Sequence, residues 1–169
     1  MRADSEAAWR RVRVPAAVTL ALMLALGVLT ALAPEGVTVA TLQPADGSFD
    51  VSRWGRAGEE APAWALGFFV GDTLSALMLG WTFFRLRRAM PASLLAAVGL
   101  GAALTKAGAD VLENLLYLWP VVQALLGEVT SWPPVGALAA LAMLKRAAGA
   151  LMGVAFAFAL PGGSPAARL

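Results

Sequence analysis

The sequence contains no cysteine and no histidine among its 169 residues. Without cysteine, disulfides, thiol catalysis and cysteine-ligated iron–sulfur clusters are excluded. Without histidine, the chain lacks the commonest metal ligand and the commonest general base. We therefore expect neither a metal nor a cofactor, and the sequence identifies no catalytic residue.

Charged residues are also scarce, at 14% of the chain, whereas 59% of the residues are hydrophobic. A soluble domain has about 25% charged residues. The net charge of +2 is small and its basic residues are scattered, so nucleic acid is not an expected partner. The apolar residues are gathered into long blocks, which indicates a lipid bilayer as the surroundings.

Four segments have the length of about 20 mainly apolar residues that a helix needs to cross the hydrocarbon layer. They are residues 14–33, 63–84, 92–119 and 135–160. Only a helix satisfies its own backbone hydrogen bonds in lipid, so each segment is predicted to be helical. The sequence thus predicts an all-α integral membrane protein, a four-transmembrane-helix bundle forming one domain over residues 1–169.

The first segment also resembles a signal peptide, because arginines precede it and "ALA" at 31–33 could be a cleavage site. Its apolar run, residues 14–33, exceeds the usual core of about 7–15 residues in such peptides. We expect the segment to be retained as a span.

The distribution of basic residues predicts the orientation. Arginines precede the first span and occupy the connection between the second and third, at positions 2, 10, 11, 13, 85, 87 and 88. Trp64, Trp119 and Trp132 fall at the opposite boundary, where aromatic residues often lie. By the positive-inside rule both termini face the cytoplasm. We expect a multi-pass protein of a bacterial-type plasma (inner) membrane.

The outer loop, residues 34–62, contains two local signals. The stretch "VTVATL" has β-branched residues at alternate positions, and "PADGS" is a turn signal. The loop is therefore either a short strand or hairpin over the outer mouth, or a flexible tether.

The main anomaly is a group of polar residues inside the predicted spans. At about 1.5 Å rise per residue, three acids and three bases from the last three spans fall in one layer between the outer boundary and the midplane. With two neighbouring polar side chains, the candidate site residues are Asp72, Lys106, Asp110, Glu113, Asn114, Tyr117, Lys145 and Arg146.

The third span has two chemically different faces. At about 100° per residue, its five candidate residues share one narrow arc, and Lys106 and Asp110 can pair at i,i+4. The same face continues toward the cytoplasm through small residues, namely Ala92, Ala96, Gly99 and Ala103. The opposite face, predicted to contact lipid, carries Leu104, Val111, Leu112 and Leu115.

An isolated charge at the bilayer centre costs from about 2.5 to more than 10 kcal/mol. Six unpaired charges would therefore not insert stably. Three acids balance three bases, so the sequence predicts a neutral ionic network within the bundle or a water-filled cavity.

Several functions remain open. The neutral balance favours a non-catalytic network that fixes helix assembly. Alternatively, Asp72, Asp110 and Glu113 could bind a small solute or carry protons across the membrane. Paired carboxylates could also serve an intramembrane enzyme acting on a lipid or isoprenoid. The bilayer is the expected partner, and the chain could form a homo-oligomer or be an accessory subunit of a larger membrane complex.

Overall fold

The computed structural model describes residues 2–33, 60–128 and 134–159, and the regular structure in these residues is helical. The helices are α1 (Arg2–Ala31), α2 (Pro62–Ala89), α3 (Leu94–Leu125) and α4 (Val135–Ala159). Each is long and apolar enough to cross a membrane. The four predicted spans are thereby confirmed, and the chain is a multi-pass membrane protein by length and composition of its helices.

Three expectations stay predictions. Residues 34–59 lie outside the described residues, so the strand or hairpin in the outer loop is not tested. The orientation of the termini and the single domain over residues 1–169 are likewise not tested by the fold.

Three helices are longer than the sequence predicts. Helix α1 begins at Arg2, twelve residues before the predicted span, although it ends at Ala31. Helix α2 continues to Ala89, so the three arginines at 85, 87 and 88 lie on its final turns rather than in a connecting turn. Arg85 lies over the Trp81 ring at 4.9 Å and Arg88 over the Phe84 ring at 4.5 Å. In these contacts the guanidinium group lies over an aromatic ring and the aliphatic part of the side chain lies beside apolar residues. The last turns of α2 therefore combine charged and apolar side chains.

Helix α3 continues through Pro120 to Leu125, although the predicted span ended at residue 119. A proline removes one backbone donor and bends a helix, but it need not end it. The chain leaves the helix at Gly127, whose φ of 71° suits glycine. The N–H of Glu128 then donates to the Gln123 carbonyl at 2.9 Å, which closes a Schellman-type cap.

Close packing joins helices that are consecutive in sequence: α1 with α2, α2 with α3, and α3 with α4. The other helix pairs approach closely at few positions among the described residues. Helix α3 thus has α2 on one flank and α4 on the other. This row is more open than a closed four-helix bundle and leaves space between α2 and α4.

Helix α1 is held against α2 near both ends of their contact. The hydroxyls of Thr19 and Thr82 lie 3.0 Å apart, and Trp64 Nε1 donates to the Leu29 carbonyl at 2.8 Å. Between them, Gly71 allows Leu26 to approach, since an added Cβ would lie 3.1 Å from Leu26 Cδ2. The rest of α1 exposes leucines and valines, as a helix facing lipid does.

Two apolar clusters lie at opposite ends of the packed helices. We name the ends by their residues: the tryptophan end holds Trp64 and Trp119, and the arginine end holds Arg85, Arg87 and Arg88. The cluster at the tryptophan end consists of Ala65, Phe69, Tyr117, Val121 and Leu138. The cluster at the arginine end consists of Met90, Ala96 and Phe156. The polar residues of α3 lie between these clusters.

Small residues let α3 and α4 approach at the arginine end. Ala96 and Ala103 are fully buried, and a Cβ added at Gly99 would lie 2.8 Å from the Phe156 ring. The predicted small-residue face is confirmed within the helix. Ala92 is the exception, because α3 begins only at Leu94 and Ala92 is exposed.

Candidate functional site

The polar stretch of α3 faces its neighbouring helices. Asp110, Glu113 and Asn114 are buried despite their polarity. Residues spaced by three and four positions share one helix face, which is why the sequence brings these side chains to one side. On the opposite side Leu104, Leu112 and Leu115 are each about half exposed, as predicted for a lipid-facing surface, whereas Val111 is partly buried.

Four charged residues form a continuous ion-pair network. Within α3, Lys106 pairs with Asp110. From α4, Lys145 pairs with Glu113, and its Nζ also lies 3.6 Å from Asp110 Oδ1. We call Lys106, Asp110, Glu113 and Lys145 the four-charge network. Its two positive and two negative charges cancel.

Burial makes the link between α3 and α4 important for stability. The side chain of Glu113 is 2% exposed and that of Lys145 is 15% exposed. Removing one partner of a buried ion pair leaves an uncompensated charge, which costs about 3–5 kcal/mol. The network therefore fixes the position of α4 on α3, because sliding α4 by a turn would separate Lys145 from both acids.

Asp72 is linked to the polar face of α3 by the side-chain amide of Asn114 and not by a lysine or arginine. Asn114 Nδ2 donates to Asp72 Oδ2 at 2.9 Å, which connects α2 to α3. Among the described residues no lysine or arginine forms an ion pair with Asp72. The sequence predicted that Asp72 would belong to a neutral network of three acids and three bases. In the described part of the structure the ion pairs between these residues join only two acids and two bases, and Asp72 is hydrogen-bonded to Asn114 instead.

Arg146 also lies outside the ion-pair network, although the sequence placed it among the six charges of the predicted network. Although it follows Lys145 directly, its side chain is exposed and has no ion pair or hydrogen bond within the described part of the chain. A step of about 100° around the helix turns Arg146 away from the acids of α3 that Lys145 reaches. The structure thus brings together Lys106, Asp110, Glu113 and Lys145, while Asp72 and Arg146 lie at the margins.

A cleft of about 420 Å³ opens beside the network, between α2 and α4 and over α3. All the candidate residues except the buried Glu113 line it, together with Phe68, Phe69 and Gly149. Stacking of Phe69 on Tyr117, with ring centroids 5.4 Å apart, forms its wall toward the tryptophan end. We call this space the polar cleft.

The sequence did not predict three of the lining residues: Phe68, Phe69 and Gly149. Phe69 lies three residues before Asp72, so helical spacing alone could have placed it on the same face. Gly149 accommodates the stem of Lys106, because an added Cβ would lie 3.6 Å from Lys106 Cδ. Which glycine of α4 would face α3 could not be predicted without the rotation of the helix.

A second cleft, of about 590 Å³, lies elsewhere on α3, between α2 and α3. No charged residue lines it; typical lining residues are Leu77, Trp81, Leu104 and Val111. We call it the apolar cleft. Its lining suits hydrocarbon, so lipid acyl chains can fill it without any polar contact.

The acids do not assemble a metal-binding group. Within the described residues there is no set of three or more acidic side chains placed to hold one ion. Their neighbours in the polar cleft are two lysines, an arginine and an amide, which offer hydrogen bonds and charge pairing.

Comparison with known proteins adds no assignment: no family model, curated protein or solved structure matches the chain.

Proposed function

We propose that the protein is a non-catalytic membrane protein in which the four-charge network fixes α3 against α4 and frames a binding site for a small polar solute. The predicted setting is a plasma (inner) membrane with both termini in the cytoplasm. The bilayer covers the exposed apolar side chains of α1 and fills the apolar cleft. The polar cleft is the binding site.

The observation that carries this proposal is the polar cleft beside a network that already neutralises itself. A network serving only assembly needs no space next to it. Pockets for small ligands measure about 300–1,000 Å³, and the polar cleft of about 420 Å³ falls at the small end of this range. Charged groups at this depth pair with one another or face a water-filled cavity, and the polar cleft beside the paired network provides such a cavity. A cleft that admits water can also admit a solute.

The second candidate is a purely structural role in helix assembly. It is favoured by the exact cancellation of charge among Lys106, Asp110, Glu113 and Lys145. In that case the polar cleft is closed to solutes in the membrane, and only stability depends on the network. Access of water to the cleft separates the two candidates.

The chain suits a test by single-cysteine labelling because it contains no cysteine. In Gly149→Cys the new thiol lies at the polar cleft, where the added Cβ would be in ordinary van der Waals contact with the Lys106 stem. In the control, Gly108→Cys, the thiol lies on the exposed side of α3 in the apolar cleft, with open space around it. Gly108 is only two residues from Lys106, so the two thiols lie at similar depth.

Each variant is reconstituted into phosphatidylglycerol vesicles and treated with a charged, water-soluble methanethiosulfonate. The reagent requires a thiolate in contact with water. We expect Gly149→Cys to react at least about tenfold faster than Gly108→Cys, corresponding to a barrier difference of about 1.4 kcal/mol. Equal, slow reaction of both thiols would contradict the binding function and leave the structural role.

A further inference from the structure

Two charges of the polar cleft lie outside the four-charge network. Asp72 stands on the α2 wall, where its one hydrogen bond within the described residues comes from the neutral amide of Asn114. Arg146 stands on the α4 wall and has no charged partner in that part of the chain. The network beside them is already neutral, so neither charge is compensated by it.

The two charges face the same space from opposite sides. Both residues line the polar cleft, yet they do not form an ion pair with each other. Their helices, α2 and α4, flank α3 and have little close backbone contact of their own. A ligand between them would therefore meet a carboxylate on one wall and a guanidinium on the other.

Both residues lie well inside their helices. Asp72 is ten residues from the start of α2, and Arg146 is eleven residues from the start of α4, which places each about 15–17 Å along its helix. The membrane-spanning part of α4 extends from residue 136 to residue 159, so Arg146 lies near its middle. An exposed, uncompensated arginine at this depth is costly, and such residues face a water-filled cavity or a partner of opposite charge.

We propose that the polar cleft binds a dipolar ligand, with a cationic group at Asp72 and an anionic group at Arg146. This proposal rests on the proposed function of the same cleft. Asp72 can accept hydrogen bonds from an ammonium through the carboxylate oxygen that Asn114 does not occupy. The guanidinium of Arg146 presents a planar set of donors that matches a carboxylate or phosphate.

This ligand chemistry has two sources, namely a free zwitterionic solute such as an amino acid and the headgroup of phosphatidylethanolamine. Both combine an ammonium with an anionic group, and both fit the small volume of the polar cleft at least in part. The experiment has an arm for each source.

The first arm measures protection of the Gly149→Cys thiol in phosphatidylglycerol vesicles. The probes are glycine, 4-aminobutyrate and 6-aminohexanoate, which share their charged groups and differ in charge separation. Butyrate and butylammonium, each with one charge, are the controls. A competing ligand slows labelling by a factor of 1 + [L]/Kd. We expect at least one zwitterion to slow labelling tenfold or more at a concentration where neither control slows it twofold.

The second arm compares vesicles with and without phosphatidylethanolamine. If the headgroup is the ligand, the thiol is protected in phosphatidylethanolamine vesicles before any solute is added, and the free zwitterions have no further effect. Protection in either arm supports the proposal, and the arm in which it occurs identifies the source of the ligand.

Two substitutions test the assignment of each wall. Asp72→Asn removes the charge that holds the cation, and Arg146→Gln removes the charge that holds the anion. Each should reduce protection at least tenfold while the thiol itself still reacts. As a second measurement on the cysteine-free chain, the protecting zwitterion should raise the Tm in detergent micelles, and either substitution should abolish this rise.

The two proposals fail in different ways. If Gly149→Cys is labelled quickly but is protected in neither arm, the dipolar ligand is wrong while a water-accessible polar cleft stands. Protection that persists in both Asp72→Asn and Arg146→Gln also overturns the proposed ligand geometry. If the thiol is not labelled in phosphatidylglycerol vesicles, both proposals fail.

Discussion

Helix α3 borders two clefts of comparable size and opposite chemistry. The polar cleft, of about 420 Å³, is lined by charged and amide side chains, whereas no charged residue lines the apolar cleft of about 590 Å³. Lys106 in one and Gly108 in the other are only two residues apart. The two clefts therefore differ in chemistry because they lie on different faces of α3, and not because they lie at different depths in the membrane.

The comparison shows how a spanning helix can carry charges without exposing them to lipid. On the polar side each acid of α3 has a lysine partner, and the network is tied to α4 through Lys145. On the apolar side leucines need no partner because hydrocarbon is as favourable as protein for them. Stability should thus depend strongly on the ion-paired residues at the polar cleft and weakly on the residues at the apolar cleft.

The largest expected effect is that of Lys145→Met, which leaves Glu113 buried without its cation. We expect a loss of about 3–5 kcal/mol in the free energy of unfolding. Unfolding in mixed micelles with increasing denaturing detergent measures it. The matched control is Arg146→Met, the next residue, which is exposed and has no ion pair within the described residues, so this variant should not lose stability. Equal losses in the two variants would contradict the separation of Lys145 from Arg146.

A smaller loss is expected for Asn114→Leu. It removes the donor to Asp72 at 2.9 Å and leaves the carboxylate without that hydrogen bond. An unsatisfied polar group costs about 1–3 kcal/mol. The same unfolding assay measures the loss, and Leu112→Met is the control on the apolar side. A stability equal to that of the parent chain would show that the Asp72–Asn114 contact does not hold α2 against α3.

Two glycines of α3 should respond differently to the same substitution. In Gly99→Ala the new methyl group would meet the Phe156 ring at 2.8 Å, and such overpacking costs about 1–3 kcal/mol. In Gly108→Ala the methyl group enters open space, so the better helix propensity of alanine should leave stability unchanged or raise it by up to about 1 kcal/mol. Unfolding midpoints that fall equally in both variants would be inconsistent with this packing of α3 on α4.

The sequence predicted the features of the fold that depend on one helix at a time. Apolar length identified the four spans, and helical spacing identified the Lys106–Asp110 pair and the leucine side of α3. It did not predict that α3 continues through Pro120, because proline usually ends or kinks a helix. Here the helix loses the hydrogen bond of one N–H group and continues to Leu125.

Contacts between helices were harder to predict. Lys145 and Arg146 are adjacent and chemically alike, and only the rotation of α4 about its axis decides which one reaches Glu113. Likewise, Asp72 has an amide partner because Asn114, and not a lysine, faces α2 at that height. Such rotations follow from packing along the whole interface and cannot be read from the periodicity of a single helix.

The most direct test of the account is a double-mutant cycle on Glu113 and Lys145. Unfolding free energies are measured for the parent chain, Glu113→Gln, Lys145→Met and the double variant. If the two side chains neutralise each other between α3 and α4, the double variant should lose less stability than the sum of the single losses, with a coupling energy of about 1–3 kcal/mol. Losses that add to within about 0.5 kcal/mol would contradict the pairing on which the polar cleft depends.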